Sequence, residues 1–419
     1  MWWFYRGSTV VTRLRGRKDM DIYSSKKRNE LAKKEFYIYE FLTSIIGLWP
    51  LQDHNFYRKI RFFFALLQMI FFTISPIVQL SIRCGHTEEY LDCFLIVAFG
   101  LLLFSKLYFI YTDRHNLSYI LNSAFEDWEL IRDENEIRQM IDCAQTSNKM
   151  ATIFYCSGMA SLVSYIAKTT IFDEPSVKII SDSLNNTVYL LGHKFILPGS
   201  CLYNNINQYF YYLVFVNQCG QMIITCSTNL GTDTMFAAIT GHIYIQFDIL
   251  MERMKKFGKN QDDINANSQE LGRIVQRHQS LILSAETLEK VYNKVIFVQM
   301  FTTVSVLSVE GMSLIISVND KNTVNFIKSI CIINFMLFES YLYTYPADNL
   351  ANRAESMLRA IYSSNWYDMP PHVTKNLVFM MMRINLPPYL TCGKFFYMTR
   401  RSYMDIIKTS ARIYQYYVL

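Results

Sequence analysis

Long apolar stretches without charged residues recur along the chain and constrain its fold more than any other feature. The first, Phe62 to Leu80, has 19 residues and contains no Asp, Glu, Lys or Arg. A helix of about 20 apolar residues spans the hydrocarbon core of a bilayer. Lipid offers no partners for backbone polar groups, so such segments cross as helices. Seven segments are predicted to span: Phe62–Leu80, Cys93–Thr112, Met150–Ala167, Tyr209–Thr232, Val295–Val318, Val324–Tyr345 and Phe396–Leu419.

The composition agrees with a polytopic membrane protein. Of 419 residues, 51% are apolar, 15% aromatic and only 18% charged, while the mean hydropathy of +0.10 leaves room for helices outside the membrane. We therefore predict an all-α, seven-transmembrane helical fold. Lys106 lies near one end of the second span, where we expect its ammonium group to snorkel towards water. Glu310 lies inside the fifth span. It is either a functional carboxylate or a protonated group that makes a hydrogen bond to another helix, and the sequence leaves both interpretations open.

The basic residues orient these spans. Residues 1–50 hold ten Lys or Arg, and the connections between spans four and five and between spans six and seven are also basic. The positive-inside rule then predicts a cytoplasmic N-terminus and an extracellular C-terminus. The basic residues that give the net charge of +6 are explained by their place in the cytoplasmic connections. We therefore expect the lipid membrane as a partner and do not expect nucleic acid.

Two features are predicted for the extracellular connections. The triplet Asn185-Asn186-Thr187 is a glycosylation sequon in the third connection, so Asn185 is the predicted glycosylation site. Cys84 and Cys201 both lie outside the predicted spans, and a disulfide between them is one possibility.

Amphipathic segments follow spans two, four and six and precede span five. Their apolar residues recur with a period near 3.6, which predicts helices packed together on the cytoplasmic side. Helices lying singly on the membrane surface are the alternative. The predicted organisation is an N-terminal segment with a re-entrant or interfacial helix (1–59), six spans with cytoplasmic helical extensions (60–345), a cytoplasmic anchor (346–395) and a last helix (396–419).

The motifs of common enzymes are missing. The sequence contains no GxSxG, HExxH or phosphate-binding loop. We therefore predict that the protein is not an enzyme, with neither a cofactor nor a metal.

The last predicted helix carries a charged stripe. Arg401, Asp405, Lys408 and Arg412 are spaced by 4, 3 and 4 residues, which places them within an arc of about 40° on a helix. A charge facing lipid at mid-bilayer costs at least about 2.5 kcal/mol. The stripe must face protein or water, and a water-filled pore is the sharper hypothesis; Tyr416 and Leu419 extend the same face.

The outer halves of spans two, three, four and six are rich in aromatic and small residues. Such surroundings suit a small apolar ligand, although small residues also allow close packing between helices. The candidate ligand-binding residues are Phe94, Val97, Leu101, Gly158, Ser161, Leu162, Tyr165, Phe210, Tyr211, Val214, Ile327 and Cys331.

Four motifs in order resemble those of the insect odorant receptor family. The first is Gly47-Leu48-Trp49-Pro50, and the second is the stretch from Arg277 to Ile282 with Leu288-Glu289. The third is the stretch from Tyr345 to Leu350 followed by Ala360-Ile361-Tyr362 and Trp366, and the fourth is Met398-Thr399 with Tyr403 and Lys408-Thr409-Ser410. The chain departs from the family at Pro346-Ala347, where Gly often follows Tyr, and at Ala411-Arg412, where Ser and Tyr are commoner. It also lacks the long second-cytoplasmic-loop insertion of the common co-receptor.

The resemblance implies an odorant-tuning subunit of a ligand-gated, non-selective cation channel. It implies a heterotetramer with the co-receptor, in the plasma membrane of olfactory sensory neuron dendrites. The last helices would line the pore at Arg412, Tyr416 and Leu419, and a small volatile odorant would bind near Gly158, Ser161 and Tyr165. A gustatory-type receptor channel and a G-protein-coupled receptor are the alternatives, and the predicted inside N-terminus disfavours the second.

Overall fold

A computed structural model describes residues 25–52, 55–82, 87–172, 177–181, 187–191, 195–198, 207–257 and 264–418. Its helices are α1 (Ser25–Ile45), α2 (Phe56–Ile82), α3 (Thr87–Thr112), α4 (Arg114–Leu130), α5 (Glu134–Ala167), α6 (Gln208–Lys256), α7 (Ile264–Asn319), α8 (Thr323–Tyr362), α9 (Pro371–Ile384) and α10 (Arg400–Val418). A π-helical turn, Lys168–Phe172, continues α5, and a 3₁₀ turn, Trp366–Asp368, follows α8.

Two small antiparallel hairpins interrupt the helices. Strand β1 (Val177–Ser181) pairs with β2 (Thr187–Leu191), and β3 (Thr391–Cys392) pairs with β4 (Phe396–Tyr397). Neither hairpin was predicted, because both are short and lack an extended alternating pattern.

The first six predicted spans each lie within a helix, and most of the seventh lies in α10. In the described part of the chain, α2, α3, α5, α7 and α8 are long and apolar enough to cross a membrane. The fourth and seventh predicted spans fall in α6 and α10, which do not reach that hydropathy. In α6 the predicted span includes Asn217, Gln218, Gln221 and Asn229, so this helix depends on its neighbours to cover its polar groups.

Three helices are much longer than a bilayer needs. Helices α6, α7 and α8 have 49, 56 and 40 residues, or about 74, 84 and 60 Å of length, against a hydrocarbon core of about 30 Å. Their extensions pack with α1, α4 and α9 around one large apolar core, which we call the basal layer.

The predicted apolar faces of the extensions are buried in this layer. In α4 these are Leu117, Ile120, Leu121, Ala124 and Trp128. The amphipathic segment after the second predicted span is divided between α4 and α5. Ile131 is extended, and the Asp133 side chain accepts a hydrogen bond from the Asn135 N–H, at 2.9 Å, to start α5.

The motif Gly47-Leu48-Trp49-Pro50 ends α1 and starts the turn into α2. The Leu48 N–H donates to the Thr43 carbonyl and the Gly47 N–H to the Ser44 carbonyl, the two bonds of a Schellman cap. Gly47 has a φ of +70°, and a Cβ there would lie 2.6 Å from the Arg58 carbonyl oxygen. A glycine is therefore required by both backbone conformation and space.

The last helix begins at Arg400, four residues later than the predicted start at Phe396. Phe396 and Tyr397 belong to β4, and Thr399 caps the helix: its N–H donates to Ser402 Oγ at 2.8 Å, while the Ser402 N–H donates to Thr399 Oγ1 at 3.2 Å. Helix α10 packs against α7 and α8, with Ile406 and Ser410 buried.

Candidate functional site

The predicted ligand-binding residues of α5 meet α8. Ser161 Oγ donates to the Cys331 carbonyl at 2.9 Å. One turn away, a Cβ on Gly158 would meet the Phe335 ring at 3.1 Å and Leu230 at 3.4 Å. Gly158 therefore permits a close approach of α5, α6 and α8, and one Cβ would disturb it.

Further along α5, Leu162 and Tyr165 pack against a second apolar cluster. Its buried members come from four parts of the chain: Phe72, Ile96, Ile196, Leu197 and Met222. Gln218 of α6 ties the segment 195–198 to this place, because its Oε1 accepts from the Ile196 N–H at 3.0 Å. The candidate ligand-binding residues of α5 thus face the interior of the bundle at two neighbouring places along the helix: Gly158 and Ser161 at the first, and Leu162 and Tyr165 at the second.

The remaining predicted ligand-binding residues divide into two groups. Val214 is buried, Val97 is half-buried, and Tyr211 is half-buried with its ring 5.3 Å from that of Phe195. Phe94, Leu101, Phe210 and Ile327 are exposed on the surface of the bundle. The structure does not bring these four together with Ser161 and Tyr165, and their role in binding stays a prediction.

The charged stripe of α10 faces away from the rest of the chain. Arg401, Asp405, Lys408 and Arg412 are all exposed, while Ile406 and Ser410 on the opposite face are buried. The described fold therefore leaves the stripe available to water or to another subunit. Tyr416 lies in α10 with a side chain outside what the structure describes, and Leu419 lies outside the described residues.

A buried charge cluster lies at the predicted outer ends of α3, α5 and α8, and we call it the outer cluster. Asp92 binds Lys168 Nζ through Oδ2 and Lys328 Nζ through Oδ1, each at 2.6 Å. Glu310 of α7 lies beside them in the field of both lysines. Glu310 is 0% exposed, and neither of its carboxylate oxygens accepts a hydrogen bond of ordinary geometry. The Ser329 hydroxyl lies near it but donates to Ser313 Oγ at 3.2 Å.

A second buried cluster joins α3, α6 and α8, and we call it the middle cluster. Lys106 Nζ lies 2.7 Å from Asp233 Oδ1 and 3.3 Å from Glu339 Oε1, with all three side chains fully buried. Asn229 donates to Glu339 at 2.7 Å and Tyr343 to Asp233 at 2.6 Å. The prediction that Lys106 snorkels is therefore wrong: two carboxylates inside the bundle bind its ammonium group.

A third cluster, the basal cluster, joins α1, α4, α6 and α7 outside the predicted spans. His242 Nε2 lies 3.1 Å from Asp127 Oδ2, and its Nδ1 lies 3.9 Å from Glu35 Oε1. Trp128 donates to Glu35 at 2.6 Å, and Arg277 binds Asp127 at 2.6 Å. Arg277 belongs to one of the four motifs noted in the sequence.

These contacts change the titration of the basal cluster. Burial alone would lower the pKa of His242, but its hydrogen bond to Asp127 and the negative charges of Asp127 and Glu35 outweigh burial and raise the pKa to about 9. Burial alone would raise the pKa of Asp127, but His242 and Arg277 outweigh it and lower the pKa. The pair is thus an imidazolium bound to a carboxylate near neutral pH.

Most of these charged partners were not predicted from the sequence. They include Asp92, Lys168, Asp233, Lys328 and Glu339. Ionisable residues of opposite sign in or beside apolar runs were the available signal, since charges inside a membrane pair with one another. Asn185, Cys84 and Cys201 lie outside the described residues, so the glycosylation and disulfide predictions stay as they were.

Long apolar helices joined by buried ion pairs are typical of a polytopic membrane protein. A family model described as 7tm Odorant receptor matches residues 86–411. That range is well over half of the chain, so the chain belongs to the odorant receptor family.

Curated relatives come from Drosophila melanogaster. Odorant receptor 46a, isoform A, is 24% identical over 176 residues, covering 42% of this chain and 46% of that protein. Odorant receptor 85c is 19% identical over 326 residues, covering 76% of this chain and 79% of that protein. The chain spans about half of the length of Odorant receptors 46a and 94a in these alignments.

Solved structures show the same fold. The insect olfactory receptor OR5 from Machilis hrabei, solved in complex with eugenol, matches with a TM-score of 0.74 at 12% identity, covering 92% of this chain and 98% of that chain. A second structure of OR5 matches with a TM-score of 0.75 at 13% identity. The predicted helical membrane fold and the odorant receptor family are confirmed, and this family is one of receptors rather than enzymes.

Proposed function

We propose that this chain is the odorant-tuning subunit of a ligand-gated, non-selective cation channel. It would work as a heterotetramer with the odorant co-receptor, in the plasma membrane of olfactory sensory neuron dendrites. Family membership over residues 86–411 supports the odorant receptor role. The exposed charged stripe of α10 is the observation that carries the channel role.

The odorant would bind between α3, α5, α6 and α8 in their predicted outer halves. Ser161, Leu162 and Tyr165 face the interior there, beside apolar side chains that suit a small volatile ligand. An odorant that binds the open arrangement of these helices better than the closed one would shift the population towards the open channel.

The pore would be lined by α10 from each subunit. A helix with four exposed charged residues on one face is costly in lipid, whereas the same face is satisfied by water in a pore. Arg412, Tyr416 and Leu419 would border the narrow part. An arginine there opposes cations, so co-receptor subunits without it would dilute its charge.

The direct test is co-expression with an insect odorant co-receptor, followed by current recording against a panel of odorants. We expect odorant-evoked, non-selective cation currents that need both chains. Silence of a chain that reaches the cell surface would contradict the proposal, as would currents that require a G protein.

Topology has its own test. An epitope tag at the N-terminus should be labelled only after permeabilisation, and a tag at the C-terminus should be labelled on intact cells. Labelling of the N-terminal tag on intact cells would favour the topology of a G-protein-coupled receptor and would contradict the proposed orientation.

Variants separate the ligand site from the pore. Gly158→Val should change the half-maximal odorant concentration, because its side chain would collide with Phe335 and Leu230. Tyr416→Ala should change conductance or gating and leave the order of odorant potencies unchanged. If Tyr416→Ala instead reorders the potencies, the assignment of Tyr416 to the pore is wrong.

A further inference from the structure

Glu310 is a buried carboxylate in the outer cluster. It is 0% exposed, and neither oxygen accepts a hydrogen bond of ordinary geometry. Leaving such an acceptor unpaired is unfavourable, and more so when the group is charged. A group that brings a donor to Glu310 therefore gains free energy on binding.

The neighbours of Glu310 indicate its charge. Lys168 and Lys328 bring two positive charges to the outer cluster, and Asp92 brings one negative charge. Among these four side chains, the charges sum to zero when Glu310 is ionised, and an uncompensated charge inside a membrane protein is strongly unfavourable. An ionised carboxylate accepts hydrogen bonds and cannot donate them.

This charge balance limits the group that Glu310 can take. An ester or an ether has no hydrogen to donate, so it would leave the oxygens unpaired. An ammonium group would donate but would add a positive charge to a balanced cluster. A neutral hydroxyl group donates a hydrogen bond and leaves the balance unchanged.

Glu310 also lies beside the apolar region that would hold the rest of a ligand. The preceding residue, Val309, packs against the cluster that contains Phe154, Ile332 and Phe335. On α8, Ser329 lies beside Glu310, and Phe335 lies six residues further along, or about 9 Å away along the helix. A small molecule with a hydroxyl at one end and an apolar body could contact both places.

We propose that Glu310 accepts a hydrogen bond from the hydroxyl group of the odorant, so that this receptor selects alcohols and phenols over esters, ethers and amines of the same skeleton. This inference rests on the proposed function and adds the chemical class of the ligand.

The test compares matched compounds on one receptor. Cells that express this chain with the co-receptor receive 1-hexanol, 1-octanol, 2-phenylethanol and phenol, each beside its acetate ester, its methyl ether and the corresponding primary amine. We expect half-maximal concentrations at least about tenfold lower for the hydroxyl compounds, as the loss of a hydrogen bond to a charged group predicts. Equal potency across each set, or a preference for esters or amines, would overturn the inference.

Two variants locate the effect. Glu310→Gln has the same shape and adds an amide donor, so it should bring the potencies of alcohol and ester together by strengthening the response to the ester. Glu310→Leu should remove the preference for the hydroxyl. Asp320→Asn, a change at an exposed carboxylate one residue beyond α7, is the matched control and should keep the wild-type preference.

Surface labelling of each variant separates loss of function from loss of folding. The wild-type comparison alone can overturn the inference even where Glu310→Leu fails to reach the surface. Wild-type currents that do not discriminate hydroxyl compounds contradict only this inference. Silence to every compound from a chain at the surface contradicts the proposed function as well.

Discussion

Lys106 shows how single residues hold this bundle together. Its ammonium group lies between Asp233 and Glu339, on helices far apart in sequence, and all three side chains are fully buried. A buried pair of this kind contributes little net stability compared with apolar packing, but removing one partner leaves a charge without compensation. The middle cluster therefore makes the correct pairing of α3, α6 and α8 obligatory.

We predict that Lys106→Met destabilises the protein by about 3–5 kcal/mol, the usual cost of breaking a buried ion pair. A large fall in melting temperature of the detergent-purified protein and loss of surface expression are the expected results. Lys59→Met, at an exposed lysine of α2, is the control and should change neither. Adding Asp233→Asn to Lys106→Met should recover part of the loss; wild-type stability in the single variant would show that the pair is not needed.

Two glycines provide a matched comparison. Gly47→Ala should destabilise the protein by at least about 1 kcal/mol, because φ is +70° there and the new Cβ would lie 2.6 Å from a backbone oxygen. Gly272→Ala places a methyl group in open space on α7, so it should stabilise the protein by up to about 1 kcal/mol. The melting temperatures should move in opposite directions, and a shift of the same sign in both would contradict the role given to Gly47.

Individual elements differ in how far the sequence could predict them. The apolar runs predicted the span helices, because periodicity and length are local properties. The start of α10 was missed because Phe396 and Tyr397 form strand β4, which pairs with Thr391 and Cys392, and do not join the helix.

Contacts between residues distant in sequence could not be predicted. The partners of Lys106 are an example, since Asp233 and Glu339 lie 127 and 233 residues away in the chain. Ser161 and Leu162, candidate ligand-binding residues from the sequence, face the interior of the bundle, and their role in binding stays a prediction. Nothing in the apolar pattern of Phe94 and Leu101 distinguishes a lipid-facing side from a ligand-facing one.

The basal cluster makes the packing of four helices depend on pH. His242 has a pKa of about 9 in the folded protein against 6.5 in a model compound. A raised pKa contributes stability that is fully present below about pH 6.5 and is lost as the pH rises through about 9. The shift corresponds to about 3 kcal/mol.

We predict that raising the pH from 7 to 10 lowers the melting temperature of the wild-type protein more than that of His242→Gln. The difference between the two proteins isolates His242 from other groups that titrate in this range. An identical pH dependence in both would show that His242 does not carry the imidazolium–carboxylate pair.

At the scale of the whole molecule, two surfaces carry the proposed channel function. In the proposed function, an odorant would contact Ser161, Tyr165 and Glu310 in the interior of the outer half, and α10 would present its charged face to the other subunits or to water. The helices α7 and α8 contact both regions, since each packs against α10 and each contributes to the outer cluster. A change in their packing is the simplest route by which odorant binding would reach the pore.

The charge of α10 allows the most direct test of this account. Arg412→Cys is expressed with the co-receptor, and thiol reagents that carry a negative or a positive charge are applied while odorant-evoked cation currents are recorded. A negative adduct in the pore should raise the inward cation current and a positive adduct should lower it, while Ser410→Cys, on the buried face of the same helix, should respond to neither. Currents of Arg412→Cys that are unchanged by both reagents would contradict a pore lined by this helix.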